Sequence, residues 1–404
     1  MAAATERPPA TLDDLTPEWL TLALHEAGAV PRDRRVTSVS TELIGDGRGF
    51  VGQVARVRLQ YDGAAGDAPR SLIAKLPSAE PKERALNEAA GLYDREVRFY
   101  QQLAPRLSLR SPRCYFSHRD PGPSDEAIDR LLARLERMPG WQLALWFWLL
   151  SWNARRSRRR FVLLLEDLSP RTTQHSQLQG AGLELGAAAL RALADAHAQS
   201  WNAEVPPELR WVRALRETRN MTVIATRRSF AAFRRIQTGR LSAHTFTLAE
   251  WLVENGMAFA LSLDERPETF CHGDFRLDNL FFDQNGAELG VVAADWQTSF
   301  RGLPAYDVAY FISGSLVDAT SEQDVEHLLR VYHEALCKRG VQGYDFDALV
   351  ADYARGLMLM VQWVINLSEA AARRDDRDLD ALVQVWCGRL DERLRVVQPS
   401  SLLG

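Results

Sequence analysis

The sequence predicts an α+β fold of two lobes, the smaller an antiparallel sheet with a helix and the larger mostly helical. Short period-2 runs punctuated by glycine and proline fill the N-terminal part, the mark of half-buried strands. Beyond them, apolar residues recur at 3–4 spacing over 183–201, 247–263, 322–339, 346–371 and 378–397, which reads as amphipathic helices. At 404 residues the chain has room for two cores. The division is placed between 1–168 and 169–404.

Gly45-Asp-Gly47-Arg-Gly49-Phe-Val-Gly52 opens the first lobe as a glycine-rich run, where N–H groups can approach anionic oxygens closely. A dinucleotide-binding loop of this composition opens a helix. Here Ala55, Val57, Leu59 and Tyr61 alternate with Arg56, Arg58 and Gln60, so a strand follows instead. The turn 62–69 leads into a second strand, Ser71-Leu-Ile-Ala-Lys75-Leu-Pro77. A lysine buried without an anion is unfavourable, so Lys75 lies either on an edge facing water or beside a carboxylate. Glu96 is preferred, set beside Val97, Phe99 and Tyr100 on a helix predicted over 83–103; Glu88 on the same helix competes. Arg160-Phe-Val-Leu-Leu-Leu-Glu-Asp-Leu168 is an apolar strand ending in acids.

The second lobe carries Cys271-His-Gly-Asp-Phe-Arg-Leu-Asp-Asn-Leu-Phe-Phe282, followed by Ala-Asp295-Trp-Gln297. Residues 280–283 and 288–294 read as two strands around an Asn-Gly turn at 285–286. That hairpin returns Asn279 and Asp295 to one end, where a single cation can touch both. A lone His-Gly-Asp is common by chance, and a lone Asp before an aromatic is often a strand-end cap. Together they fit phosphoryl transfer. Asp274 would orient the acceptor hydroxyl and take its proton, while Asn279 and Asp295 hold Mg²⁺ against the phosphates. The upstream elements then fall in kinase order. Gly45, Gly47 and Gly49 approach the phosphates, and Lys75, tethered by Glu96, bridges the α/β-phosphates. Backbone groups near Glu166, Asp167 and Leu168 read the adenine edge.

On these residues the chain resembles the aminoglycoside-phosphotransferase and choline-kinase-like superfamily, and within it the ecdysteroid-kinase-like branch with bacterial relatives. Further matching pieces are Leu15-Thr-Pro-Glu-Trp-Leu20, Glu96-Val-Arg-Phe-Tyr100, Leu193-Ala-Asp-Ala-His-Ala198 and Asp307-Val-Ala-Tyr-Phe311. The resemblance implies a bilobal protein-kinase-like fold with its active site in the cleft. It implies ATP with Mg²⁺ as donor, GTP not being excluded, and a small-molecule hydroxyl as acceptor. By position it carries the base role to Asp274 and the metal roles to Asn279 and Asp295. Arg276 either touches phosphate or pairs with Asp278 or Asp307. His272 is expected to orient the loop by hydrogen bonding, and Asp307 to N-cap a helix while bracing that loop.

Charges nearly balance, 49 Lys+Arg against 53 Asp+Glu, so no basic face announces nucleic acid. The N-terminus shows no apolar signal segment. Cys114, Cys271, Cys337 and Cys387 are scattered, which reads as reduced thiols in a cytoplasmic protein. An insertion at about 119–160 stands outside the kinase plan. Ile128, Leu131, Leu132, Leu135 and Met138 share one helical face, and Trp141 to Trp152 is mostly apolar before Arg155, Arg156, Arg158, Arg159 and Arg160. That stretch is too short to span a bilayer. A helical hairpin on the small lobe, a dimer contact or flap, and contact of 141–160 with a membrane interface all fit it. The acceptor pocket is expected near 205–245 and 355–390, with Met358, Met360, Trp363 and Trp386 either lining it or forming core. Residues 205–245 carry more Arg than Asp or Glu, which disfavours polycationic acceptors, and the aromatic- and Met-containing helices lean toward an apolar alcohol; Arg227, Arg228, Arg234 and Arg235 either meet an anionic acceptor or form a solvated helix face. A catalytically silent nucleotide-binding protein is the alternative. Asp-Trp-Gln in place of Asp-Phe-Gly, with no Ala-Pro-Glu after it, argues against protein substrates.

Overall fold

The structure, a computed structural model, describes residues 8–44, 52–154, 159–284, 289–371 and 377–403. Gly45, Gly47, Gly49, the Asn-Gly turn at 285–286 and Arg155, Arg156 and Arg158 lie outside the described residues. The chain forms two compact units. One holds the described residues up to Arg106, with Ser111–Ser124 and Ala144–Arg171; the other holds Leu107–Arg110, Asp125–Leu143 and the chain from Thr172 on.

The first unit contains α1 (Pro17–Glu26), β1 (Val36–Leu43), β2 (Gly52–Tyr61), β3 (Ser71–Pro77), α2 (Pro81–Ala89), α3 (Leu92–Arg98), β4 (Cys114–Arg119) and β5 (Phe161–Glu166). The five strands form one antiparallel sheet in the order β1-β2-β3-β5-β4. Period-2 alternation decides its faces. Val57, Leu72, Ala74 and Leu164 are buried in one core with Leu20 and Leu24 of α1. Thr16 starts that helix by accepting the Trp19 N–H, with Pro17 preset for the first turn. Each fully buried leucine there contributes about 1.5–3 kcal/mol. β3 is an interior strand, so the edge-strand alternative for Lys75 is removed; Lys75 lies opposite Val54 and Leu163.

The single helix predicted over 83–103 is instead α2, α3 and a π-helical turn at Phe99–Leu103. Gly91 breaks it. Its φ of +70° is the left-handed conformation that glycine takes freely after a helix end.

The second unit contains α4 (Asp125–Leu135), the start of α5 (Gly140–Ala154), α6 (Leu183–Gln199), α7 (Arg219–Gln237), α8 (Ala243–Ser262), α9 (Ala305–Ser315), α10 (Glu322–Lys338), α11 (Phe346–Ala371) and α12 (Arg377–Leu394). Short strands β6 (Thr173–Gln174), β7 (Thr269–Cys271), β8 (Leu280–Asp283), β9 (Gly290–Ala293) and β10 (Phe300–Gly302) form two small sheets, β6-β8-β9 and β10-β7. α7, α8, α9 and α12 pack on α11. Its stretch Phe346–Ser368 is apolar and long enough to cross a bilayer, yet 72% of its apolar window is buried. Met358 and Met360 are fully buried core, and Trp386 nearly so.

The insertion is divided between the units: Ala144–Ala154 with Arg159 and Arg160 group with the sheet unit. Residues 125–143 group with the helical unit. Leu135 and Met138 are buried on the expected face. Glu136 caps α7, its two carboxylate oxygens accepting the N–H groups of Asn220 (2.7 Å) and Met221 (3.2 Å). Asp129 pairs with Arg213. On α5, Trp141, Leu145 and Leu149 are exposed. Arg159 is no solvated arginine: it lies on the Phe161 ring and pairs with Asp94 (3.1 Å) and Glu88 (3.6 Å).

Candidate active site

In the sheet unit, Lys75 Nζ lies 2.6 Å from Glu96 Oε1, with the glutamate 5% exposed. A buried pair holds its charges only because each compensates the other. Glu88 lies 3.6 Å from Arg159, and Glu96 is the carboxylate set against Lys75. In the segment after β5, the Glu166 N–H donates to Arg113 O (2.8 Å), and the Leu168 carbonyl accepts from Arg171 N–H (3.0 Å). Both groups are therefore engaged within the unit. The Asp167 carboxylate accepts from Arg56 Nε (2.8 Å) and from Ser169 (2.7 Å), fixing the turn that follows the strand.

In the helical unit, β7 ends at Cys271 and runs into the loop His272-Gly273-Asp274. Gly273 has φ +81°, and a Cβ there would lie 2.4 Å from Thr298 O, so only glycine fits. The loop is fastened from α9. The Asp307 carboxylate, fully buried, accepts the His272 N–H (2.6 Å) and the Gly273 N–H (2.9 Å) on separate oxygens. His197 Nε2 lies 3.3 Å from it and holds Tyr332 through its other nitrogen (2.7 Å). Asp307 is not the N-cap expected. The helix begins two residues earlier with Pro304 in that position, so the carboxylate is free to brace the loop.

His272 orients that loop. Its Nδ1 accepts the Asp274 N–H (3.2 Å), so the ring proton sits on Nε2 and is donated to Ala294 O (3.0 Å). Burial lowers its pKa, which favours this neutral form even against the nearby carboxylates of Asp307, Asp274 and Asp295. Its ring lies 4.3 Å from that of Trp296, whose indole N–H donates to Ala293 O (2.9 Å). The tryptophan of Asp-Trp-Gln thus packs against the histidine of His-Gly-Asp and locks the two motifs together.

Asp274 itself is surrounded by donors. Tyr310 O–H donates to Oδ1 (2.6 Å), and Asn279 Nδ2 donates to Oδ2 (2.9 Å) and to the Asp274 carbonyl (2.9 Å). Arg276 Nε lies 3.2 Å from Oδ1, and its Nη1 reaches Asp278 (2.6 Å) and Gln177 Oε1 (3.1 Å). The pairing of Arg276 is therefore with Asp274 and Asp278, while Asp307 is turned to the loop backbone. Burial opposes the charge of Arg276, and Asp274, Asp278 and Asp295 overcome it and raise its pKa.

Both amide protons of Asn279 point at Asp274, which leaves Oδ1 as the atom it can offer a cation. β8 and β9 pair Leu280 with Ala293, and Ala294 N–H donates to Asn279 O (2.9 Å). This register brings Asn279 and Asp295 to the same end of the hairpin. Asp295 has φ +68°, a conformation an L-residue adopts at some strain, and Gln297 Nε2 donates to its Oδ2 (3.2 Å). An amide oxygen beside a carboxylate is a hard-oxygen donor set of the kind Mg²⁺ takes.

Two residues of this centre escape the sequence reading. Tyr310 lies on α9 one turn beyond Asp307, a spacing that puts both on one helix face. Gln177 precedes α6 in an irregular segment, and nothing in its neighbours signals it.

A sequence model of the ecdysteroid kinase-like family matches residues 46–128 and 131–340 of the chain. A 63-residue stretch is 40% identical to acyl-CoA dehydrogenase family member 11 of Gallus gallus, covering 16% of this chain and 7% of that protein. The chain therefore spans a small part of the curated relatives it matches. Among solved structures, a microcompartment-associated aminopropanol kinase superposes with TM-score 0.50 and 13% identity, over 95% of this chain and 99% of that one. A choline kinase from Cryptosporidium parvum Iowa II superposes with TM-score 0.50 and 10% identity, over 94% and 96%. At these identities the likeness is one of fold.

Proposed function

The chain belongs to the ecdysteroid kinase-like family, and on that premise we propose that it transfers the γ-phosphate of a Mg²⁺-bound nucleotide, ATP in the first instance and GTP by the same contacts, to a hydroxyl of a small molecule. The observation that carries this reading is Asn279. Its amide protons hold the Asp274 carboxylate and its oxygen is left at the end of the hairpin that also carries Asp295.

Asp274 is the base. As the acceptor oxygen bonds to phosphorus and the bond to the departing diphosphate breaks, the acceptor's proton passes to the Asp274 carboxylate. Arg276 steadies that carboxylate and so acts through it. Asn279 Oδ1 and Asp295 would hold Mg²⁺, which when bound neutralises charge on the phosphate oxygens. In the sheet unit, Lys75 held by Glu96 supplies a fixed cation for the α/β-phosphates. For the acceptor, Tyr310 leads from Asp274 to the half-exposed Trp363, ring centres 6.0 Å apart. An aromatic wall suits an apolar or uncharged alcohol better than a polycationic sugar.

The test is a nucleotide-consumption screen over sterol-like alcohols, choline-like alcohols, hydroxyacyl thioesters and sugar antibiotics, with the Asp274→Ala variant as blank. Acceptor-dependent turnover in wild type and none in the blank is expected. Equal background in both, for every acceptor class, would instead support a silent nucleotide-binding protein.

A further inference from the structure

We propose that Tyr310 is a positioning residue for the transfer: its hydroxyl fixes the Asp274 carboxylate so that Oδ1 faces the acceptor's hydroxyl. The inference rests on the reading of Asp274 as the base and adds a residue to it.

The carboxylate is held unequally. Asn279 grips Oδ2 and the Asp274 carbonyl together, and Arg276 approaches both oxygens from one side at 3.2 and 3.4 Å. Oδ1 has Tyr310 as its short contact, at 2.6 Å. The carboxylate torsion is broad and roughly two-fold, so donors on one edge alone let it swing. A carboxylate oxygen has room for a second hydrogen bond. Tyr310 donates to Oδ1, while the Arg276 Nε–H, 3.2 Å from that oxygen, is directed at Oδ2 (3.4 Å), which leaves Oδ1 capacity for the incoming hydroxyl.

Tyr310 is built to hold still. It is 2% exposed, and its ring packs on those of Tyr306, Trp386 (4.7 Å) and Trp363 (6.0 Å). The two indoles are themselves 4.3 Å apart. α9 therefore grips the loop twice, through Asp307 on its backbone and through Tyr310 on its reacting side chain. Burial and then the Asp274 charge push the phenol far up its titration range, so it keeps its proton. The transferred proton comes from the acceptor alone, and Tyr310 gives up none.

Tyr310→Phe removes the hydroxyl and keeps the ring. Expected is a fall in kcat of roughly tenfold to a hundredfold with acceptor KM and nucleotide Kd within about twofold, the signature of an interaction needed in the transition state. A lower KM at unchanged kcat would mean that the hydroxyl merely occupies the acceptor's seat, and would overturn the proposal, as would unchanged kinetics. An equal loss in Trp386→Phe, which disturbs the packing and leaves the hydroxyl, would assign the effect to packing and also overturn it. Crystal structures of wild type and Tyr310→Phe decide the point without turnover. A rotated Asp274 carboxylate in the variant supports it, and an unmoved one refutes it. Absence of any Asp274-dependent turnover in wild type would sink the kinase reading and leave this structural comparison standing by itself.

Discussion

Replacing Asp307 by Asn should loosen the His272–Asp274 loop while leaving shape and volume unchanged. The carboxylate accepts two backbone N–H groups on separate oxygens, at 2.6 and 2.9 Å, with no exposure to solvent. An amide has one acceptor oxygen, so one of those N–H groups would face an NH₂. A hydrogen bond to a charged group contributes about 1.5–3 kcal/mol, and an orphaned buried donor carries a penalty of similar size. A local loss of about 2 kcal/mol is a fair central value, which is roughly thirtyfold in an opening equilibrium. Hydrogen–deuterium exchange of peptides spanning 269–280 reads it directly, with peptides from α10 as the internal reference. Exchange of the loop amides should quicken by about that factor while α10 is unchanged. Unchanged loop exchange would refute the claim that Asp307 fastens the loop. Uniform acceleration across the unit would show a global loss of stability in its place.

Three further outcomes follow from the same contacts. Lys75→Met removes the ammonium 2.6 Å from the buried Glu96 carboxylate and should destabilise by roughly 2–4 kcal/mol, less than a fully buried pair because Lys75 keeps some solvent; adding Glu96→Gln should recover much of it in urea unfolding. Gly273→Ala sets a Cβ 2.4 Å from Thr298 O at a left-handed φ, so turnover should collapse and the loop peptides should lose exchange protection. Asp295→Ala should weaken Mg²⁺-nucleotide binding at least tenfold by calorimetry with little effect on nucleotide affinity in EDTA; equal affinity in Mg²⁺ would remove Asp295 from the metal site.

The elements easiest to read in the sequence are those governed by local periodicity. The alternation from Ala55 to Tyr61 becomes β2, and the pairing of β8 with β9 returns Asn279 and Asp295 to one end. Where the reading fails, a longer-range choice decides. Along one expected helix Glu96 is preferred to Glu88 only on its apolar neighbours, and it is Glu96 that meets Lys75 while Glu88 meets Arg159. The break at Gly91, itself a legible signal, and the pull of Arg159 separate them. Asp307 resembles an N-cap by type, yet Pro304 starts the helix earlier and the aspartate serves a loop more than thirty residues upstream. α4 follows its predicted face, but its partner is set by Glu136 and Asp129 meeting α7 and Arg213, contacts that no periodicity encodes. Tyr310 lies between these cases. Its spacing from Asp307 is visible, while its contact with Asp274 depends on how the loop folds back.

The central claim is that Asp274 takes the acceptor's proton during phosphoryl transfer. Asp274→Asn keeps the side chain's shape, its one oxygen can accept from Asn279 and its NH₂ can donate to the Tyr310 oxygen, but it cannot serve as that base. With an acceptor from the screen, phosphorus NMR should show phosphorylated product accumulating with wild type and none above background with the variant, at nucleotide affinities within about threefold. Product formed by Asp274→Asn at the wild-type rate would contradict the account.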